Sequence, residues 1–200
     1  MKQRKKQPGV TRQAIMVAAG DGFARYGYAG TGLGWIVTGA GLTKGALFHH
    51  FPDKRSLAKA WLDERLADEI DALWVRPLAE ADSLTGLKRI CRTRISDLEP
   101  GDATFTLAAL AAELGRQDEI LASALESIFD AWRDAVAGVF ERGRAAGGVF
   151  GSVKPAAEAA MLVALVTGIA VQTAVVKDAA LRQTCLTSVE DYLDTLRATA

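Results

Sequence analysis

Apolar residues recur at helical spacing along most of this 200-residue chain, and no segment alternates apolar and polar residues as a half-buried strand does. A first helix is predicted with Thr11 as its N-cap, and Gly27 is expected to stop it near Tyr26. Pro77 is expected to kink or end a longer fourth helix. Five more helices are predicted near residues 84–98, 104–114, 118–146, 155–176 and 179–196. The chain is therefore predicted to be all-α, with about nine helices.

Residues 31–57 predict two short helices joined by a glycine turn. Gly41 carries no Cβ and therefore suits the left-handed turn between them. Thr43 is placed to cap the third helix by accepting from its free N–H groups, and Asp53 is placed to cap the fourth. In a helix-turn-helix of this kind, here over residues 32–51, the first helix braces the second, which enters the major groove of DNA.

The chain carries no net charge at pH 7, but its charges are unevenly divided. Residues 1–60 hold ten basic residues against two aspartates, a balance of +8, and residues 61–200 hold fourteen basic and twenty-two acidic residues, a balance of −8. A basic part of this kind is expected to meet a polyanion, with a solvated basic face as the alternative. Residues 1–8 are expected to form a flexible basic arm, which either follows the DNA backbone or enters a minor groove, or is simply disordered.

The pattern over residues 9–69 resembles the DNA-binding domain of TetR/AcrR-type transcriptional regulators. The residues that carry the resemblance are Ala14-Ile15, Ala18-Ala19, Phe23, Gly27-Tyr28, Thr31-Gly32-Leu33, Ile36-Val37, Ala40-Gly41-Leu42-Thr43-Lys44-Gly45-Ala46-Leu47-Phe48-His49-His50-Phe51, Asp53-Lys54 and Leu57. The resemblance implies a homodimer on a double-stranded DNA operator with two half-sites. It also implies a body, residues 70–200, that binds a small effector and dimerises through the helices near 155–176 and 179–196.

The candidate DNA contacts combine small residues, which allow close approach, with basic, aromatic and hydroxyl side chains. Lys44 is expected to reach a phosphate or a guanine edge, and Lys54 a phosphate. The full set is Thr31, Trp35, Thr43, Lys44, Gly45, Ala46, Phe48, His49, His50 and Lys54.

The first two predicted helices depart from the family pattern; the second of them is the helix that braces the recognition helix. Glycines interrupt both helices of the predicted head where better helix formers are usual, and each interior glycine costs about 0.5–1 kcal/mol relative to alanine. They are Gly20 and Gly22 in the first helix and Gly32, Gly34 and Gly39 in the second. Trp35 either lies against the DNA backbone or completes a small core. The second helix is therefore expected to be marginal on its own and to depend on packing.

Aromatic and charged side chains of the predicted body are candidates for an effector pocket, with ordinary core as the alternative reading for each aromatic. Arg94 follows Ile90 by one turn, near the apolar side of its helix, so it is the preferred partner for an anionic effector; a solvated face is the alternative. Glu113, set in an apolar run, is expected either to contact a polar group of the effector or to close a helix end. The candidates are Trp61, Trp74, Arg94, Phe105, Glu113, Phe129 and Trp132.

Several classes of function find no support in the sequence. No nucleophile elbow, phosphate-binding loop or paired carboxylate motif is present, so neither an enzyme nor a cofactor is predicted. His49 and His50 are neighbours that point about 100° apart on a helix, which disfavours a metal site. Cys91 and Cys185 form no metal or disulfide pattern, which favours a reducing, cytoplasmic location and leaves a sensing thiol without support. The uncharged stretch 159–176 is interpreted as a buried helix and not as a membrane span.

The sequence thus predicts a ligand-responsive DNA-binding regulator, more specifically a repressor released from a palindromic operator by a small, largely apolar effector. The first alternative is a small-molecule binding or scaffold protein that has lost operator binding. The second alternative is an architectural protein that binds DNA without sequence preference.

Overall fold

The computed structural model describes residues 8–176 and 178–198. Over these residues it contains nine helices and no strand, which confirms the all-α prediction; the only bridge there joins Val149 to Arg197. The helices are α1 (Pro8–Gly30), α2 (Leu33–Gly39), α3 (Lys44–His50), α4 (residues 54–80), α5 (Leu84–Ser96), α6 (Ala103–Leu114), α7 (Glu119–Ala145), α8 (Pro155–Val175) and α9 (Ala179–Thr195).

Helix α1 begins earlier than predicted and is interrupted where predicted. Thr11 is not its N-cap, because the helix starts at Pro8 and the Thr11 side chain is buried inside it. Gly27 leaves the helical conformation at φ 71° and ψ 178°, a region that favours glycine. Residues 1–7 of the predicted basic arm lie outside the described residues.

Helix α4 continues through Pro77, so of the two predicted effects of this proline the end of the helix is excluded, and the helix is irregular just before it. Three α-helical segments alternate with two π-helical turns, Leu62–Leu66 and Asp71–Val75, and the last segment is Arg76–Glu80. Pro77 has no N–H to donate to Leu73 O one turn earlier. The Nε of Arg94 donates to that carbonyl instead, at 2.8 Å.

The contacts divide the chain into two units. Unit 1 comprises the described residues up to Ala67 together with Ala109–Leu125. Its core joins α1, α2, α3 and the first part of α4 through fully or almost fully buried side chains: Ile15, Met16, Phe23, Ile36, Leu47, Phe51, Leu57 and Trp61. The boundaries predicted for the DNA-binding domain and the body stay a prediction, since the end of α6 and the start of α7 belong to unit 1.

Unit 2 comprises the described residues of 68–108 and 126–198. Trp74 and Trp132 lie together at its centre, with ring centroids 4.7 Å apart. The indole N–H of Trp74 donates to Thr104 Oγ1 at 3.1 Å, which satisfies the polar edge of a buried ring. The surrounding core is apolar and includes Leu78, Leu87, Val136, Phe140, Leu162 and Val166.

Among the described residues, α8 is the single helix long and apolar enough to cross a membrane. One side of it is buried in unit 2 by Ala159, Leu162, Val163, Val166, Ile169, Ala170 and Thr173. The other side exposes Met161, Leu165, Val171 and Val175. The helix is therefore a core element on one side, and an apolar face remains on the other.

Candidate nucleic-acid interface

The turn between α2 and α3 has the predicted geometry. Gly41 adopts φ 61°, the left-handed region, directly after α2. The hydroxyl of Thr43 accepts from Ala46 N at 3.2 Å, as expected of an N-cap. The sequence predictions for Gly41 and Thr43 are therefore confirmed at the level of backbone geometry.

Helix α3 is held by one face and leaves the other face open. Leu47 is fully buried and Phe51, just beyond the helix, is 4% exposed. The exposed face carries Phe48, whose side chain is 48% exposed, together with Lys44, Gly45 and His49, while Ala46 and His50 are half-buried. This face offers a cation, imidazoles and an apolar ring, which match phosphates, base edges and thymine methyl groups.

The two histidines of α3 lie edge to face, with ring centroids 5.2 Å apart. Within the described residues, no group of three or more His, Cys, Asp or Glu side chains is arranged to hold a metal ion. His49 and His50 therefore remain candidates for contacts with DNA.

Lys54 is less free than the sequence implied. Its Nζ lies 3.4 Å from Ala29 O and 4.4 Å from the centre of the Tyr28 ring. Partial burial lowers the pKa of Lys54, and the nearby charge of Glu113 opposes that change. A phosphate contact by Lys54 stays a prediction, and it would require the side chain to leave its contacts with Ala29 O and the Tyr28 ring.

Thr31 was predicted to contact DNA, and the structure corrects this. Its side chain is fully buried, and its hydroxyl donates to Gly27 O at 2.7 Å. Thr31 therefore secures the segment between α1 and α2 and offers no surface to a ligand.

Trp35 packs on α1, and that packing explains one departure from the family pattern. Its ring lies edge-on to Tyr26, with centroids 5.6 Å apart, and its side chain remains 38% exposed. A Cβ at Gly22 would overlap Thr31 Cγ2 and lie 2.9 Å from Trp35 Cζ3. Gly22 is thus required for this approach, and Trp35 completes a small aromatic cluster while keeping an edge in solvent.

Trp61 belongs to unit 1, where its burial supports the alternative reading of an ordinary core residue. Its ring packs edge-to-face on Phe23 at 5.4 Å, and a Cβ at Gly20 would lie 2.5 Å from its indole nitrogen. The glycine at position 20 therefore makes room for a buried tryptophan.

Glu113 also lies in unit 1, where it binds backbone and not an effector. Its carboxylate accepts from Tyr28 N at 2.8 Å and from Ala29 N at 2.6 Å, just after the interruption at Gly27. A carboxylate at newly freed N–H groups is a charge-assisted cap. Of the two roles that the sequence left open for Glu113, these contacts support the closing of a helix end.

Sequence reasoning missed a second link in unit 1. Arg55 Nε and the Asp118 carboxylate lie 2.7 Å apart. The hydrogen bond from Arg55 lowers the pKa of Asp118. Asp118 also accepts from Ile120 N and Leu121 N at 3.1 Å each, so it caps α7. The sequence predicted a helix near residues 118–146, but neither its cap nor the partner of Asp118 63 residues earlier.

The other effector candidates lie in unit 2. Around Trp74 and Trp132, the space left between the described side chains admits no water molecule. Phe105 and Phe129 are half-buried, and Arg94 is engaged with the backbone as described above. Cys91 borders the same cluster, and burial raises the pKa of its thiol to about 12.

Comparison with known proteins gives two family matches that together span most of the chain. Residues 15–61 match bacterial regulatory proteins of the tetR family, and residues 83–198 match the C-terminal domain of BetI-type transcriptional repressors.

Two curated relatives and one solved structure are among the similar proteins. The A-factor receptor protein of Streptomyces griseus is 30% identical over 80% of this chain and 53% of its own length. The transcriptional repressor AcnR of Corynebacterium glutamicum is 33% identical over 48% of this chain and 46% of its own length. The chain thus spans about half the length of these relatives. A TetR-family regulator from Cytophaga hutchinsonii shares the fold, with a TM-score of 0.86 at 18% identity over 99% of this chain and 100% of its own.

Proposed function

The chain belongs to the TetR family of transcriptional regulators, and on that premise we propose that it is a cytoplasmic repressor that a small molecule releases from its operator. The family is one of regulators and not of enzymes. The observation that carries the proposal is the exposed face of α3, which buried Leu47 and Phe51 hold in place. One relative is itself named a repressor, which supports the sign of regulation proposed here.

In this proposal α3 enters the major groove. Lys44, at the first turn, binds a phosphate or a guanine edge, and Phe48 and His49 meet the bases. The free N–H groups at the start of α3 add a favourable dipole for phosphate. Two heads of a homodimer would read half-sites about 34–36 Å apart, or a multiple of that spacing.

Self-association is proposed to use α8 and α9. The exposed side of α8 presents Met161, Leu165, Val171 and Val175. Burial of such apolar side chains against a second copy of the chain would stabilise a dimer. A palindromic operator matches the two-fold symmetry of such a dimer.

The effector is proposed to bind in unit 2 beside Trp74, Trp132, Phe105 and Phe129. The space around Trp74 and Trp132 is closed, so a ligand that enters there must part these two rings. Helix α6 contributes Thr104, the partner of Trp74, to unit 2 and Glu113, the partner of Tyr28 and Ala29, to unit 1. Only an effector that favours one state over the other can release the DNA.

The test is DNA binding by fluorescence anisotropy at two salt concentrations, with an operator selected from a random pool and a scrambled duplex of equal length. A regulator is expected to prefer its operator, with an affinity that falls steeply as salt rises. A scaffold protein would bind neither duplex, and an architectural protein would bind both equally; either result overturns the proposal.

A matched pair of lysine variants locates the interface. Lys44→Ala is expected to weaken operator binding by about 1–3 kcal/mol if it reads a base, or to reduce the salt slope by about one if it binds a phosphate. Lys59→Ala removes an equal charge from α4, where that lysine pairs with Asp63 at 2.6 Å, and is expected to change little. Equal losses in the two variants would contradict the assignment of α3 as the recognition helix.

A further inference from the structure

Unit 2 contains an open cleft away from the tryptophan cluster, at the C-terminal end of α5 and the N-terminal end of α9. Its volume is about 610 Å³, within the range of small-molecule sites. Its walls include Ser96, Glu99, Pro100, Ala179, Arg182 and Leu186.

Arg182 is the side chain in this cleft whose hydrogen bonding is incomplete. Its Nη1 donates to Ser96 O at 2.8 Å, at the end of α5. Its Nε is buried and has no hydrogen-bond partner among the described residues. A buried donor of a charged group is costly to leave unpaired, and native proteins pair almost all such groups.

The neighbouring cations between α5 and α9 each have a carboxylate partner, and Arg182 has none within the residues that the structure describes. Lys88 pairs with Asp194 and Arg92 pairs with Glu190, each at 2.7 Å. Arg182 pairs with no carboxylate in the described part of the chain, although it belongs to the same pair of helices. The third cation between these helices therefore lacks the acid that the other two have, and it lines a cleft of ligand size.

We propose that this cleft binds a small monocarboxylate. The ligand's carboxylate accepts from the guanidinium of Arg182, in the way that guanidinium groups commonly bind carboxylates, and the side chain turns to bring its buried Nε to the cleft. The apolar part of the ligand lies against Pro100, Ala179 and Leu186. The negative charge of Glu99 in the same cleft opposes dianions such as phosphate, which gives the site its selectivity.

The test is isothermal titration of the full chain with hexanoate, in the absence of DNA, so that its outcome is independent of operator binding. Saturable binding of one hexanoate per chain is expected. Hexan-1-ol, which lacks the charge, is expected to bind at least about tenfold more weakly because it loses the charge-assisted hydrogen bond. Inorganic phosphate is expected to bind more weakly as well, because its greater negative charge is repelled by Glu99.

Three variants assign the binding to the cleft. Arg182→Gln is expected to weaken hexanoate binding about tenfold or more, whereas Arg92→Gln, which removes an equal charge from the same pair of helices, should stay within about twofold. Glu99→Gln is expected to tighten binding, because it removes the repulsion. This gain cannot come from misfolding, so it tests the site even if Arg182→Gln fails to fold. Absence of saturable binding, equal losses in the two arginine variants, or no gain in Glu99→Gln would each overturn the proposal.

Discussion

Gly22 and Gly34 are both helical glycines of unit 1, but their surroundings are opposite. A Cβ at Gly22 would overlap Thr31 and press on Trp35, whereas a Cβ at Gly34 would meet nothing within 4 Å. Glycine is therefore needed at position 22 for close packing, and at position 34 it only adds conformational freedom to the unfolded chain.

The two alanine variants are expected to change stability in opposite directions. Gly22→Ala should destabilise the protein by about 1–3 kcal/mol, the usual cost of overpacking. Gly34→Ala should stabilise it by up to about 0.5–1 kcal/mol by favouring α2. Chemical denaturation with and without operator DNA measures both values. Equal stability of Gly34→Ala and the wild type would contradict the view of α2 as a marginal brace.

The Cys91 thiol is expected to be inert at neutral pH. Its side chain is 1% exposed, and burial raises its pKa to about 12, so the reactive thiolate is scarce below that pH. In the Cys185→Ser variant, where Cys91 is the single thiol, Ellman's reagent at pH 8 should react no faster than the protein unfolds. Full reaction in denaturant is the control, and rapid labelling of the native variant would show that Cys91 can act as a sensor.

One backbone carbonyl of helix α4 accepts a hydrogen bond from a side chain of α5, because a proline one turn later has no N–H to donate. Arg94 donates to Leu73 O, the carbonyl that Pro77 cannot serve. Arg94→Met is expected to lower the free energy of unfolding by about 1–3 kcal/mol. The same change should cost less in a Pro77→Ala background, because an alanine at that position restores a backbone N–H for the carbonyl.

Arg89→Met is the matched control, since Arg89 is exposed on the same helix, and it is expected to stay within about 0.5 kcal/mol of the wild type. Denaturation of the four proteins in the double-mutant cycle gives the coupling between positions 77 and 94. A coupling of zero would contradict the capping role of Arg94.

The cap of α7 carries a pH-dependent contribution. The hydrogen bond from Arg55 lowers the pKa of Asp118 below its ordinary value. A depressed carboxyl pKa stabilises the fold above the unfolded-state value of about 3.9, and this contribution is lost as the pH falls through the lower folded-state value.

Asp118→Asn keeps an oxygen that can cap the helix and removes only the charge. The variant is therefore expected to be less stable than the wild type at pH 7 and to approach it as the pH falls through the lowered folded-state pKa of Asp118, where the wild-type carboxyl becomes protonated too. Denaturation at a series of pH values measures the difference, and a difference that does not vary with pH would contradict the ionic role.

Elements with local chemical signals were the ones that sequence reasoning located well. Gly41, Thr43 and Asp53 each act through neighbours within a few residues, so their roles were legible in the sequence. The sequence left two roles open for Glu113, a ligand contact and the closing of a helix end, because its partners, Tyr28 and Ala29, lie about 85 residues away. A carboxylate in an apolar stretch can serve a ligand or a distant backbone, and only the packing distinguishes the two.

Over the whole chain, the sequence predicted the helices of the body, but it did not predict whether the interior of the body is an open pocket or a filled core. Aromatic residues at helical spacing are compatible with an open pocket or a filled core. The structure has Trp74 and Trp132 in contact, with Thr104 satisfying the indole N–H. The candidate effector residues are thus partly brought together, and the space for an effector has to be created by its binding.

Helix α8 joins the packing of unit 2 to the proposed assembly. Its buried side is fixed by unit 2, while Leu165 and Val171 remain 41% and 42% exposed on the other side. Apolar side chains grouped on one helix face are stabilised when a second copy covers them. A charge placed within such an interface has to be desolvated without a partner, which is strongly unfavourable.

Leu165→Glu and Val171→Glu are therefore expected to convert a dimer into monomers, and Ile120→Glu is the control because Ile120 is 47% exposed on α7, in unit 1. Sedimentation equilibrium measures the mass, and circular dichroism tests that each variant still folds. Because a monomer can occupy one half-site at a time, the two α8 variants should also lose operator affinity while keeping the contacts of α3. A dimeric Leu165→Glu variant, or dissociation of Ile120→Glu as well, would place the dimer interface elsewhere.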